Sequence, residues 1–148
     1  MSPTIEAEST IDAPLATVWQ VLTDLERYGD WNPFTHKVVT TLEPGSEIVL
    51  HVDMGPFGPK VQKERVAVVE DHCRLGWGMT MGGGKLLDCT RYQEIKDLGD
   101  GRTHYRTWET FHGPLGPLVV LFFGGRVQKG FSSVADSLAR YAPTQVGS

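Results

Sequence analysis

The residue pattern at the start of the chain predicts one strand followed by helices. β-Branched residues are frequent from Thr4 to Ile11, which is typical of a strand. The segment Asp12-Ala13-Pro14 is typical of a helix start, because the N–H that proline lacks is unpaired in the first turn anyway. Apolar residues then recur at intervals of three and four, at Val18, Trp19, Leu22 and Leu25. We therefore expect one amphipathic helix and, over residues 28–34, a short second helix or turn packed under a sheet.

Turn-forming residues divide the middle of the chain into six further strands. Glycine, proline and aspartate recur around residues 43–45, 55–59, 71–72, 82–84 and 99–101. Between these turns the sequence predicts strands at about 36–42, 46–54, 60–70, 73–81, 85–96 and 102–112. Because the connections are short, strands that are neighbours along the chain should pair in antiparallel fashion.

The turn lengths also predict which side chains share a face of the sheet. A two-residue turn at Asp71-His72 would pair Val68 with Leu75, and a turn at the three glycines would pair Trp77 with Cys89. Residues that face each other in a ladder lie on one side, so these registers connect into one apolar face. The predicted face comprises Ile48, Leu50, Val52, Met54, Val66, Val68, Leu75, Trp77, Met79, Leu87, Tyr105 and Phe111.

The last part of the chain predicts a long helix. Apolar residues fall at intervals of four and three at Val127, Phe131, Val134, Leu138 and Tyr141, which predicts one buried face. Residues 118–123 are apolar nearly all round, so they should be buried or cover a hollow. A glycine costs about 1 kcal/mol relative to alanine inside a helix, so we expect a bend or break at Gly124-Gly125. Residues 143–148 are expected to form a frayed tail.

Two passages of the sequence resemble a known superfamily. The first comprises Ala13-Pro14, Val18-Trp19, Leu22, Asp24, Tyr28 and Trp31-Asn32-Pro33, and the second Gly101-Arg102-Thr103 and Glu109-Thr110-Phe111-His112-Gly113. Together with the order of elements, they resemble the START-like (SRPBCC) superfamily over residues 4–142, and its bacterial polyketide cyclase/dehydrase-like branch in particular. The resemblance implies an α+β helix-grip fold, in which the curved antiparallel sheet wraps around the long C-terminal helix. It also implies a hydrophobic cavity between sheet and helix, in a single domain that spans residues 1–148.

A ligand in such a cavity would be a small hydrophobic molecule that is lipid-, polyketide- or aromatic-like. An aromatic and methionine lining is by itself more often plain core than a ligand site, so the prediction rests mainly on the resemblance. The residues expected to contact the ligand are Leu50, Val52, Met54, Gln62, Val66, Trp77, Met79, Gln93, Tyr105 and Phe111 from the sheet, and Phe122, Phe123, Val127 and Phe131 from the helix.

Three charged residues on the same predicted face, Glu64, Arg91 and Glu109, are candidate catalytic groups. Arg91, predicted to pair with Thr107, would lie diagonally across from Glu109, near enough for an ion pair that fixes the register. Alternatively, apolar surroundings would raise a carboxyl pKa or Arg91 would lower it, and either shift would suit the group to proton abstraction beside a carbonyl, while Arg91 steadies the enolate oxygen. Glu64 has no obvious partner, so it has a raised pKa inside the cavity or is exposed at its mouth.

Composition and charge exclude several classes of function. The formal net charge of −4 over 148 residues provides no basic footprint for nucleic acid. The longest apolar run is far shorter than the roughly 20 residues that cross a bilayer, and no leader is recognisable, so we expect a cytoplasmic protein. Cys73 and Cys89 are too few for a disulfide framework, and the histidines lack zinc-type spacing. No glycine-rich segment matches a nucleotide or phosphate loop, so neither a metal nor a cofactor is expected.

Three functions therefore remain open for this sequence. The leading hypothesis is a protein that binds a small hydrophobic ligand. The second is an enzyme of the polyketide cyclase or dehydratase type, aromatase-like, with Glu64 or Glu109 as acid or base. The third is a protein-interaction domain, which would expose a contiguous apolar patch. We expect a monomer or a homodimer in each case.

Overall fold

A seven-stranded antiparallel sheet forms most of the protein. The structure is a computed structural model that describes residues 2–147. The strands are β1 (Thr4–Ile11), β2 (Thr35–Val39), β3 (Glu47–Asp53), β4 (Pro59–Glu70), β5 (Arg74–Met81), β6 (Leu87–Gly99) and β7 (Arg102–His112). They lie in the order β1-β7-β6-β5-β4-β3-β2, so the first strand of the chain pairs with the last. The predicted strands are confirmed, and their ends differ from prediction by no more than three residues.

Two short helices connect β1 to β2, as the sequence predicts. They are α1 (Leu15–Thr23) and α2 (Tyr28–Trp31), and a 3-10 turn over Leu25–Arg27 lies between them. The expected apolar face of α1 is buried. After α2, the side-chain oxygen of Asn32 accepts hydrogen bonds from the N–H groups of Phe34 and Thr35, at 3.0 and 2.8 Å. These bonds satisfy backbone donors that would otherwise be unpaired and direct the chain into the sheet.

The sheet curves around the long C-terminal helix α3 (Gly116–Tyr141), which confirms the helix-grip fold. The rear half of this helix buries Phe131, Val134 and Leu138 against the sheet. Gly130 leaves room for the ring of Phe34, because a Cβ at this position would lie only 2.3 Å from that ring. The ring of Phe34 also meets the ring of Phe131 edge-on at 6.0 Å, so the segment after α2 is fixed against α3.

The expected break at Gly124-Gly125 is wrong. The α3 helix continues through both glycines without interruption. Gly124 is buried, and a Cβ there would lie 2.9 Å from Val120 and 3.6 Å from Ile5 of β1. Close packing of the helix on β1 thus accounts for this glycine, and tertiary contact outweighs its low helix propensity.

Of the two alternatives for residues 118–123, burial of the whole segment is wrong, whereas Val119 and Phe123 do border a hollow between the helix and the sheet. Leu118, Leu121 and Phe122 are 49%, 74% and 65% exposed, whereas Val119 and Phe123 are partly buried against the core. Only one face of α3 can contact the sheet, and periodicity cannot select a face where every position is apolar.

The β4–β5 hairpin departs from the predicted register at one end. Val66 pairs with Trp77, but a bulge at Ala67 then shifts the pairing, and Leu75 faces Val69 instead of Val68. Val68 therefore moves off the predicted concave face, and Val69 packs against the core in its place. The connection has three residues, Asp71 to Cys73, because His72 adopts a left-handed conformation with φ of 58°.

The next two hairpins are displaced by two residues from the predicted registers. Met81, and not Met79, pairs with Leu87, while Arg91 pairs with Glu109 instead of Thr107. Consecutive residues with positive φ lie in both connections, at Gly82–Gly84 and over residues 99–101, and the first connection extends over residues 82–86 between Met81 and Leu87. A shift of two leaves each side chain on its predicted face, so the face survives although the partners change.

The end of the chain is more ordered than predicted. Ala142–Gln145 form a 3-10 helix after α3, and Ala142 is fully buried. Ser148, the last residue of the predicted tail, lies outside the described residues. Within residues 2–147, no helix is both long and apolar enough to cross a membrane.

Candidate functional site

A cavity of about 340 Å³ lies between the concave face of the sheet and α3. Apolar side chains dominate its wall, with Trp77 and Phe111 from the sheet and Phe123 and Phe131 from the helix. The predicted contact residues that line it are Leu50, Val52, Met54, Gln62, Trp77, Met79, Phe111, Phe123, Val127 and Phe131, together with Glu64, Arg91 and Glu109. Their role toward a ligand stays a prediction.

Four predicted contact residues do not line this cavity. Phe122 points outward from α3 and is 65% exposed, so its predicted position is wrong. Val66, Gln93 and Tyr105 are buried beside the cavity, in the core. The side-chain alternation places all three on the concave face, but it cannot distinguish a side chain that borders empty space from one that is covered by neighbours.

Seven further residues line the cavity and were absent from the predicted contact set. They are Phe34, Thr35, Lys60, Met81, Leu87, Cys89 and Val119. Met81, Leu87 and Cys89 follow the alternation of β5 and β6, which had already placed Leu87 and Cys89 on the concave face without identifying them as ligand contacts. Phe34 and Thr35 lie at an irregular junction, where neither a helical nor a strand period applies.

The cavity opens to solvent where β4 and β5 separate. These strands pair only between Glu70–Arg74 and Arg65–Gly78, so residues 59–64 and 79–81 diverge. Lys60 and Met81, on either side of this gap, line the cavity and are exposed. Glu64 and Met79 also border a polar depression of about 410 Å³ on the outer face. That depression has charged and hydroxyl-bearing walls, so the apolar cavity is the better site for a hydrophobic molecule.

Arg91 is the only charged side chain in the described part of the chain that is almost fully buried, at 6% exposure. Its Nε donates a hydrogen bond to Oγ1 of Thr107 at 2.9 Å, and its Cζ lies 4.2 Å from the ring centre of Phe131. A second nitrogen of the same guanidinium, Nη2, is buried and has no hydrogen-bond partner among residues 2–147. A buried donor of this kind is costly unless something accepts its hydrogen bond.

The ion pair between Arg91 and Glu109 is not formed in the described part of the chain. The two residues face each other directly across β6 and β7, yet no nitrogen–oxygen distance between them falls within 4.0 Å. The guanidinium instead contacts Thr107 and the ring of Phe131. A register-fixing ion pair therefore does not account for either residue.

Both carboxyl groups in the cavity wall have raised pKa values. Burial raises the pKa of Glu64 to about 7, the Glu109 charge adds to this, and the Arg91 charge opposes it. Burial likewise raises the pKa of Glu109, against a hydrogen bond with Cys89 and the attraction of Arg91. The site therefore holds one permanent cation beside two carboxyl groups that retain their protons to higher pH than usual.

Neutral polar groups form the layer behind Arg91. The Tyr105 hydroxyl donates a hydrogen bond to Oε1 of Gln93 at 2.5 Å, and the Tyr28 hydroxyl donates one to the carbonyl of Leu22 at 2.5 Å. Burial raises the pKa of both tyrosines, so they remain neutral donors. Gln93 and Tyr105 thus support the site from behind instead of lining it.

The remaining reactive side chains offer little chemistry at this site. Burial raises the pKa of the Cys89 thiol, which keeps it protonated and weakly nucleophilic. The five histidines lie outside the cavity wall. Across residues 2–147, no group of three or more histidine, cysteine or acidic side chains is arranged to hold a metal ion.

Comparisons with known proteins agree with this architecture. The chain is 24% identical over 177 aligned positions to "Oxopyrrolidines biosynthesis cluster protein O" of Penicillium oxalicum, covering 96% of this chain and 87% of that protein. The structure is similar to the Zhui aromatase/cyclase of Streptomyces sp. R1128, with a TM-score of 0.77, 19% identity, and coverage of 99% and 96%. It is also similar to a START superfamily protein of Mycobacterium smegmatis, with a TM-score of 0.69, 17% identity, and coverage of 95% and 97%. At these identities the structural likeness shows the fold.

The amino-acid sequence also matches the sequence profile of a protein family. Residues 2–143 match the profile described as "Polyketide cyclase / dehydrase and lipid transport". The match includes every strand and the whole of α3. The chain therefore belongs to the polyketide cyclase/dehydrase and lipid-transport family, within the START/SRPBCC superfamily.

Proposed function

We propose that the protein binds a small, mainly aromatic or polyketide-like molecule in the cavity, with an oxygen atom of the ligand at Arg91. The observation that carries the proposal is the buried and unpartnered Nη2 of Arg91 in a wall that is mainly apolar. An unmade hydrogen bond of this kind costs about 1–3 kcal/mol, and a ligand oxygen would recover it. The family match and the aromatase/cyclase among the structural relatives support a ligand with rings and oxygen atoms.

The wall favours an acidic or strongly accepting oxygen. Arg91 is always charged, whereas the pKa of about 7 leaves Glu64 partly protonated near neutral pH, and burial also raises the pKa of Glu109. A ligand carboxylate, phenolate or enolate would compensate the guanidinium. The cavity volume lies at the lower end of the range of ligand sites, roughly 300–1,000 Å³, which suits a compact ring system.

Naphthoic acid and naphthalene form a matched pair of probes for this proposal. The acid should raise the melting temperature of the protein, because a ligand that binds only the folded state stabilises it by mass action. Naphthalene should raise it less, because it offers no oxygen to Arg91. The measurement is thermal unfolding with each probe, together with quenching of Trp77 in the cavity wall.

A pair of tryptophan variants shows whether binding occurs in the cavity. Val127→Trp would fill the cavity and should abolish the rise in melting temperature that naphthoic acid causes. Leu121→Trp, on the exposed side of the same helix, should retain that rise. An equal shift in both variants, or no shift by either probe in the parent protein, would refute the proposal.

Catalysis of the cyclase or dehydratase type is a second candidate, favoured by the two carboxyl groups on either side of Arg91 in the wall. One carboxylate would take a proton from the carbon between two carbonyls, and Arg91 would stabilise the enolate oxygen. The enolate carbon would form a bond to another carbonyl carbon of the same molecule, and the protonated carboxyl would return its proton to the resulting alkoxide. Loss of that hydroxyl together with a second proton from the attacking carbon would then release water and leave a double bond in the ring.

Glutamine variants test that candidate. With a short poly-β-carbonyl thioester as substrate, Glu109→Gln or Glu64→Gln should retain binding and lose about 100-fold or more in turnover, since positioned acid–base groups contribute on that order. Ring formation is followed by ultraviolet absorbance. Turnover at the parent rate in both variants excludes these carboxyls as acid or base and leaves the binding proposal intact.

A further inference from the structure

Exposed apolar side chains are concentrated at one end of the molecule. Among residues 2–147, ten large apolar side chains are exposed, and seven of them fall in the three segments 54–62, 81–87 and 113–131. These seven are Phe57, Val61, Met81, Leu86, Leu118, Leu121 and Phe122. We call the three segments together the open end.

The three segments form one surface around the mouth of the cavity. The ring of Phe57 meets the ring of Phe123 edge-on at 5.0 Å, which connects the first segment to α3. The N–H of Leu115 donates to the carbonyl of Leu86 at 3.1 Å, which connects the second segment to the third. Met81 is both exposed and part of the cavity wall, so the apolar surface continues into the cavity.

The open end is basic although the protein is acidic. Its three segments contain Lys60, Lys85, Arg126 and Lys129 and no aspartate or glutamate, while the whole chain carries a formal net charge of −4. The nearest acids along the chain are Asp53, whose carboxylate lies 3.7 Å from Arg126, and Asp88. Even with Asp53 and Asp88 included, basic residues outnumber acidic ones at the open end.

We propose that the open end docks on the surface of an anionic lipid membrane. Leu121 and Phe122 follow Leu118 by three and four residues on the outer face of α3, and Lys129 continues the same stripe two turns after Phe122. Bulky apolar side chains with basic neighbours are the combination that holds helices at the boundary of an anionic bilayer. The helix lies on the surface in this arrangement and does not span the bilayer.

Docking in this orientation would place the mouth of the cavity against the membrane. An apolar molecule could then move between the bilayer and the cavity without crossing water. That transfer rests on the proposed function, whereas the docking itself does not. Two copies of the chain facing each other through the open end would bring Lys60, Lys85 and Lys129 of both copies together, so charge repulsion disfavours a homodimer through this surface.

Vesicle sedimentation of the full chain tests the docking. The protein should sediment with vesicles of phosphatidylcholine and phosphatidylglycerol, less with phosphatidylcholine alone, and less as salt is raised. The double variant Leu121→Asp/Phe122→Asp should lose about tenfold or more of this binding, because both apolar anchors are removed. The control Val39→Asp/Leu98→Asp changes two exposed apolar residues elsewhere and should bind as the parent does.

Naphthoic acid binding without vesicles, measured on each variant, keeps the cavity proposal separate. Retained probe binding shows that the variants are folded, and its absence in the parent would refute the cavity proposal alone. Three results would overturn the docking: no sedimentation with anionic vesicles, equal sedimentation with neutral vesicles, or equal loss in the control. A concentration-dependent dimer that Leu121→Asp/Phe122→Asp abolishes would assign the open end to a second copy instead.

Discussion

Replacing Arg91 with methionine should stabilise the ligand-free protein and, at the same time, remove most of its affinity for an acidic aromatic ligand. Methionine fills a similar volume, packs well against the ring of Phe131, and leaves no buried charge. Exchanging poorly compensated buried charges for apolar side chains is often neutral or stabilising, by about 1–4 kcal/mol. A stabilisation in the middle of that range raises the melting temperature of a protein of this size by several degrees.

The loss of affinity follows from the removal of Nη2 of Arg91, the unpartnered donor in the cavity wall. A hydrogen bond to a charged group contributes about 1.5–3 kcal/mol, so Arg91→Met should weaken naphthoic acid binding by roughly 10- to 100-fold and naphthalene binding hardly at all. Thermal unfolding and fluorescence titration measure the two effects. Arg106→Met is the control, because Arg106 lies on the other face of the sheet and pairs with Glu6 at the surface. A destabilised Arg91→Met variant with unchanged affinity would show that Arg91 is structural.

Glu64 should make the protein less stable as the pH rises from about 4.5 to about 7. Its pKa is raised in the folded state, so over this range the folded protein holds a proton that the unfolded chain has released. The free energy of unfolding therefore falls with increasing pH in this window, and above it Glu64 causes no further change with pH. The shift from 4.5 to about 7 corresponds to roughly 3 kcal/mol.

Glu64→Gln isolates this contribution, because glutamine resembles the protonated carboxyl and does not titrate. The variant should match the stability of the parent protein near pH 4.5 and exceed it by an increasing margin up to pH 7. The dependence of the unfolding free energy on pH that remains in the variant would come in part from Glu109. Urea unfolding at a series of pH values provides the comparison. Glu43→Gln, at an exposed turn, serves as the control. A difference between Glu64→Gln and parent that does not change with pH would mean that Glu64 lies in water.

The sequence could predict the faces of the sheet better than the strand partners. Side chains alternate with a period of two, so the displaced registers of two hairpins left Arg91 and Glu109 on the predicted face. The bulge at Ala67 moved pairing by a single position, and there Val68 left that face. Bulges and tight turns depend on local backbone conformation, such as the positive φ of His72, which apolar periodicity does not encode.

The sequence could predict most of the residues that line the candidate site, but not the contacts that their charged side chains make. Alternation placed Glu64, Arg91 and Glu109 together, but it gave no information on the direction that a long side chain takes. The guanidinium contacts Thr107 and Phe131 instead of forming an ion pair with Glu109, and that choice depends on three elements at once. Phe122 was misplaced for a related reason, since an all-apolar helical segment carries no sign of which side meets the sheet.

Methionine methyl resonances provide the most direct measurement of whether the cavity takes a ligand. Met54, Met79 and Met81, three of the four methionines in the chain, line the cavity. In a carbon-13 methyl-labelled sample, naphthoic acid should shift all three signals with one common affinity, and Val127→Trp should abolish these shifts. Methyl signals that stay in place at saturating probe would show that no ligand enters this space.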